Sequence, residues 1–183
     1  MKKILVVLSE WGYWGEELVG PLEALDAHKY ETVFMTPQGN RARALPPSME
    51  AGYYDPRLHK VVTDEYYASK TREIDTSTRL DNPINLAAWF PERPYFNLPN
   101  FGRELEQYYE ARDKCWKELE QYDALLMPGG SGPMVDMVNN QRLHDVILGF
   151  YAQNKLIVAE CYCVTCLAFA RDWTERKSII RVH

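Results

Sequence analysis

Cys161 follows the apolar run Leu156 to Ala159 with only Glu160 between, and a helical stretch from Val164 to Ala170 begins almost at once. A strand that turns directly into a helix presents its turn residue on a sharp bend. Backbone N–H groups and the positive end of the helix dipole then favour an anion at that point. A cysteine so placed is expected to have a depressed pKa and to exist partly as thiolate, which is how a nucleophile is activated. The same residues also read as a core strand carrying a structural cysteine, since free cysteine is among the most buried side chains. Local sequence leaves both readings open.

Two further segments hold residues that could act with a thiol. Glu16 and Glu17 follow the first apolar run, and Pro128-Gly129-Gly130-Ser131-Gly132-Pro133 follows a later one. A glutamate near a thiol can share a hydrogen bond with it or act as general acid and base once buried; otherwise it complements a helix dipole. A glycine lets backbone N–H groups approach a developing oxyanion, or it simply makes a turn. The Gly-Lys-Ser/Thr ending of a phosphate-binding loop is absent. Cys163 and Cys166 form Cys-x-x-Cys at a helix start, but a fourth metal ligand is not evident, so no metal is expected and Cys166 reads as core packing. His144 reads as a surface residue on a helix, and His28 and His59 have no nearby ligand-type partners.

The elements that must position these residues alternate. Ile4 to Leu8, Tyr30 to Thr36, Asp123 to Met127 and Leu156 to Ala159 read as strands, the first and last as buried runs. Glu16 to His28, Arg103 to Gln121 and a segment capped by Asn139 or Asn140 read as helices with apolar stripes. The pattern predicts an α/β fold: a doubly wound, mainly parallel, flavodoxin-like sheet with a cysteine elbow. Ligands in such sheets sit beyond the carboxyl ends of the strands, where all three segments should meet. Residues 40 to 100 break the pattern, with seven of the eleven prolines and many aromatics. Their aromatic content argues against disorder, and they read as an inserted, lid-like segment.

Length and charge narrow the possibilities. The chain of 183 residues fits a single domain over 1–183. Its net charge of -5 argues against a nucleic-acid partner. No stretch of 18 apolar residues exists, so no membrane span is expected. The opening run is too short for a signal peptide, with Glu10 where a cleavage site would fall, so a cytoplasmic location is expected. Four cysteines, three of them within six positions, do not form a disulfide framework in a chain of this size.

The glutamate after the first strand (Trp14-Gly-Glu-Glu17-Leu-Val-Gly-Pro21), the glycine pair and the cysteine turn, in that order, resemble the DJ-one/PfpI superfamily. This is the branch of class I glutamine-amidotransferase-like proteins that includes PfpI-type proteases and heat-shock glyoxalases. The likeness covers roughly residues 1 to 39 and 120 to 172, and the segment between looks like that of the larger heat-shock-type members. It implies Cys161 as nucleophile and Glu17, four residues before Pro21, as the acid. The N–H groups of Gly130 and Tyr162 would form the oxyanion hole, with no cofactor and no metal. The implied chemistry is thiolate addition to a carbonyl: glyoxalase or deglycase action, or a protease-like hydrolysis of amides. The implied partners are a small-molecule carbonyl substrate or a peptide, with a homodimer as a candidate assembly. A non-enzymatic holdase chaperone, an oxidation sensor and an inactive truncated homologue are the alternatives. Two departures stand out. Cys163 occupies the position of a family glycine, and Tyr162 occupies that of a histidine, which leaves His183 as a weak candidate base. The family's later strands are missing, so the domain is expected to be incomplete at its C-terminus, with a mobile or borrowed tail after Trp173.

Overall fold

The computed structural model describes residues 1–172 and 176–180. Its first unit is β1 (Lys3–Val7), α1 (Gly15–Ala27) and β2 (Glu31–Thr36). A short hairpin follows, β3 (Tyr54–Asp55) with β4 (Lys60–Val61), then α2 (Glu65–Thr76), β5 (Ile84–Asn85), α3 (Leu86–Trp89) and α4 (Phe101–Glu118). The regular pattern resumes with β6 (Ala124–Met127), α5 (Pro133–Asp136), α6 (Gln141–Ala152), β7 (Leu156–Ala159) and α7 (Val164–Phe169). Five strands form one sheet in the order β5-β2-β1-β6-β7, every pair parallel. This is the doubly wound, flavodoxin-like arrangement that the alternation predicts.

Strand periodicity divides the core. Leu5, Val7, Leu125 and Met127 face a cluster with Leu143, Val146, Ile147 and Phe150 of α6. Ile4, Val6, Leu8 and Leu126 face the other way, against Leu18 and Leu22 of α1. Successive side chains of a strand point to opposite faces, so continuous apolar runs are what a sheet covered on both sides requires. Among the described residues, no helix is long and apolar enough to cross a membrane.

Three expectations change. Residues 40 to 100 are not wholly an added segment, because β5 pairs with β2 in the main sheet and Leu80, Leu86 and Phe90 are buried in the core. Two strand residues after Pro83 are too few to show a period. Leu156 is 64% exposed and the rest of β7 only partly buried, because β7 lies at the sheet edge and has one strand neighbour among the described residues. The tail is not loose over residues 176–180. There Asp172 N–H donates to Lys177 O at 2.8 Å, Ile179 N–H donates to Ala170 O at 3.1 Å, and Ile179 packs on the core. These two backbone bonds and the packing of Ile179 hold the described residues 176–180 against the body of the domain. Trp173, together with His183 at the chain end, lies outside the described residues.

Candidate active site

The sheet reverses direction at β1: the chain passes from β1 to β2 on one side, and β6 lies on the other. The crevice at such a switch point, beyond the carboxyl ends of the strands, is where this fold binds ligands. Loops after β1, β6 and β7 converge there. They bring Glu17, Gly129, Gly130, Cys161 and Tyr162 together.

Cys161 takes φ 50°, while Glu160 before it is extended. A left-handed backbone is uncommon for a residue with a Cβ and costs energy that the surroundings must supply. Here the chain is held on both sides of the cysteine. Glu160 N–H donates to Met127 O at 3.1 Å, and Cys163 N–H donates to Glu160 O at 2.9 Å. The Cys161 residue is exposed to the cleft, whereas Cys163 and Cys166 are fully buried.

Glu17 lies in the first turn of α1, half-buried, and its Oε2 accepts the Gly129 N–H at 2.8 Å. The carboxyl lies close enough to the Cys161 thiol for each to shift the other's pKa. Burial pushes the Glu17 carboxyl above the ordinary glutamate range, and its bonds to Cys161 and to the Gly129 N–H pull partly back. For Cys161 the outcome corrects the sequence expectation of a depressed pKa. Partial burial, then the negative charge of Glu17 and its hydrogen bond, push the thiol up, against the N–H groups of Gly130 and Tyr162. The helix behind the cysteine has only six residues and starts at Val164. A carboxylate in contact with the sulfur outweighs so short a dipole.

Glycine is required at two adjacent positions for different reasons. At Gly130, φ is 94° and a Cβ would sit 2.7 Å from Trp14 N. At Gly129, a Cβ would sit 2.6 Å from Glu160 O, 2.7 Å from the Cys161 Cβ and 2.9 Å from Glu17 Oε2. Gly129 is thus the contact point of the cysteine turn and the glutamate. The sequence reading chose Gly130 and missed this role; the Pro-Gly-Gly run was the available signal. Cys163, at the family's glycine position, does not crowd the turn. Its Sγ donates to Pro128 O at 3.1 Å inside the core, and contact with Cys166 together with burial keeps the thiol neutral. His144 is half-buried rather than on the surface, with its Nε2 2.9 Å from Val138 O, because α6 packs it against the loop before that helix.

The segment after β2 shapes one side of the crevice. Tyr13 is tied by its backbone to the segment 43–45: Leu45 N–H donates to Tyr13 O at 2.8 Å, and Tyr13 N–H donates to Arg43 O at 3.1 Å. Asp75 of α2 fixes this junction by accepting Ala44 N–H at 2.7 Å and the Tyr13 hydroxyl at 3.3 Å. Gly15, the first residue of α1, lies flush on Thr71 of α2, where a Cβ would overlap the threonine side chain. Together with the hairpin these contacts enclose a cleft of about 620 Å³, with Trp14, Glu17, Leu45, Gly130, Cys161 and Tyr162 in its lining. No histidine is among its described lining residues.

Comparison with known proteins bears on the fold and the family. Among curated proteins, no sequence matches significantly. Among solved structures, the chain is similar to a rapid encystment protein of 24 kDa from Francisella tularensis, with TM-score 0.62 and 22% identity over 99% of this chain and 67% of that one. It is similar to glyoxalase III from Candida albicans, with TM-score 0.58 and 15% identity over 98% of this chain and 65% of that one. A ThiJ/PfpI domain protein from Brachyspira murdochii matches with TM-score 0.51 and 13% identity, over 93% of this chain and 65% of that one. The chain therefore spans 65 to 67% of the length of the first three solved chains it matches. At such identities the likeness is one of fold. The sequence itself matches the ThiJ/PfpI-like family continuously from residue 8 to residue 181, through the segment between the two halves of the sheet, and the chain belongs to that family.

Proposed function

We propose that this protein is a cysteine-dependent enzyme that converts α-oxoaldehydes to 2-hydroxy acids. The observation that carries the reading is the placement of the Cys161 sulfur. It sits on a left-handed turn, between the N–H groups of Gly130 and Tyr162 and the carboxyl of Glu17, at the mouth of a cleft. Glu17 is the acid–base group within reach of the sulfur, and its raised pKa brings it closer to the working range of such a catalyst.

The chemistry follows from one carboxyl and one thiol that share a proton. Glu17 takes the thiol proton as sulfur adds to the aldehyde carbon. The carbonyl π pair moves to oxygen, which receives that proton from Glu17 to give a hemithioacetal. The Gly130 and Tyr162 N–H groups face the developing oxyanion. Glu17 then takes the hydrogen on the former aldehyde carbon as a proton, and the electron pair moves toward the adjacent ketone to form an enediol. Reprotonation at the second carbon leaves a thioester. Water displaces the thiol, so one aldehyde and one water give one 2-hydroxy acid, with no external oxidant. Donors of this kind contribute about 3 to 4 kcal/mol each when removed from other oxyanion holes.

The test is consumption of methylglyoxal by the purified protein, with lactate as the measured product. Cys161→Ser should abolish turnover while the protein stays folded. Turnover that survives this substitution would place the chemistry elsewhere.

A further inference from the structure

The cleft above Cys161 is walled on one side by the β3–β4 hairpin, and two hairpin residues, Arg57 and Lys60, line it together with Glu17, Gly130, Cys161 and Tyr162. Neither makes an ion pair among the described residues, whereas Arg41, Arg43, Arg72, Arg79, Arg112 and Arg142 each pair with a carboxylate. Asp55 stands directly opposite Lys60 in the hairpin register. Its Oδ1 is taken up by its own turn, accepting Arg57 N–H at 2.7 Å and Leu58 N–H at 3.0 Å. On the thiol side, Glu17 is held by the Gly129 N–H, and Glu16 and Asp55 are the other carboxylates of the lining. The apolar part of the lining is made by Trp14, Leu45, Leu58, Val61 and Val62.

We propose that the cleft seats an anionic end group on Arg57 and Lys60. The substrates it selects are then α-oxoaldehydes whose far end carries a carboxylate, joined by a short methylene chain that lies along the apolar wall. This rests on the reading of Cys161 as the nucleophile. A guanidinium offers a carboxylate two parallel N–H donors, and an unpaired cation in a concave site raises the local concentration of anions. For 4,5-dioxopentanoate the reaction balances as before: sulfur adds to the aldehyde carbon, the carbon-bound hydrogen moves to the neighbouring carbon through Glu17, and water releases 2-hydroxyglutarate. The distal carboxylate is unchanged throughout.

Two alkylating reagents test the anion seat without requiring turnover. Iodoacetate and iodoacetamide react with the same thiolate and differ in charge, so the ratio of their rate constants cancels any change in thiol pKa. R57Q/K60Q should lower the iodoacetate-to-iodoacetamide ratio at Cys161 severalfold at low ionic strength, because two cations are removed from the lining of the cleft that holds the thiol. Raising the salt should narrow the difference in this ratio between the unmodified protein and R57Q/K60Q, because exposed charges are screened. In turnover, the preference for 4,5-dioxopentanoate over methylglyoxal should fall in R57Q/K60Q. A ratio that the double substitution does not move overturns the proposal, even if methylglyoxal is turned over. A falling ratio with no turnover of either aldehyde overturns the enzymatic reading and its substrate class, and leaves only the anion seat standing.

Discussion

Gly129→Ala is the sharpest perturbation of the site, because it adds one methyl group at the point where three of its parts touch. The added Cβ would lie 2.6 Å from Glu160 O, 2.7 Å from the Cys161 Cβ and 2.9 Å from Glu17 Oε2. Two of these neighbours belong to a turn already held in a left-handed conformation, so they cannot yield as the end of a flexible side chain would. The turn or the glutamate must move instead, and the bond from Gly129 N–H to Glu17 is lost or stretched. Overpacking of this kind costs about 1–3 kcal/mol, and each kcal/mol lowers Tm by about 2–4 °C in a chain of this size. The expected result is a Tm lower by roughly 2–12 °C, with an altered pH profile of Cys161 alkylation by iodoacetamide. Gly52→Ala provides the contrast: its φ is 81°, but nothing lies within 4 Å of an added Cβ, and it is far along the chain from the cysteine turn. It should lower Tm somewhat through backbone strain and leave the alkylation profile in place. An unchanged melting point and an unchanged profile in Gly129→Ala would refute the claim that this glycine locks thiol and carboxyl together.

Other outcomes follow from the same contacts. Glu17→Gln removes the charge that holds the thiol up, so the alkylation profile should move to lower pH. Coulomb's law gives about 1 kcal/mol for contacting charges in water-like surroundings, or about fivefold faster alkylation near neutral pH. Dicarbonyl turnover in the same variant should fall about 100-fold or more, because the general acid–base is gone; faster alkylation with undiminished turnover would remove Glu17 from the mechanism. If the proposed reaction holds, turnover by the unmodified protein should rise with pH through the Glu17 titration, which lies above the ordinary glutamate range, and a pH-independent acid limb would contradict this. Away from the site, burial raises the Asp145 carboxyl to about 6, against the pull of the Tyr108 hydroxyl 2.6 Å away. The folded protein therefore holds a proton there that the unfolded chain has lost, and stability should fall as pH rises from about 4 to about 6. Asp145→Asn should flatten that slope by roughly 2–3 kcal/mol in denaturant titrations, and an unaltered slope would count against a neutral Asp145.

Much of the frame was legible without coordinates. β1, β2, β6 and β7 fall on the apolar runs, and the helices between them carry stripes at helical spacing, because a parallel sheet covered on both faces demands such runs. The placement of Glu17, Gly130 and Cys161 at one sheet edge was legible too, since the carboxyl ends of parallel strands all lie on the same side. β5 was not, because two residues carry no period. Its place at the sheet edge comes from pairing with β2 and from the burial of Leu86 and Phe90 beside it.

What the sequence determined by itself is the order of the strands along the chain and the chemical types that gather beyond them, because apolar periodicity and turn residues are local properties. What only the tertiary structure decided is the electrostatic state of the thiol and the walls of the cleft. The Cys161 pKa rises rather than falls because the fold partly buries the thiol and, second to that, brings the charge of Glu17, far away in sequence, close to its sulfur. Gly129 is constrained by atoms of two other segments, the cysteine turn and α1, and Arg57 and Lys60 line the cysteine's cleft through a hairpin that no local pattern places there. Spacing along a chain carries no record of such contacts, because packing creates them when segments far apart in sequence come together.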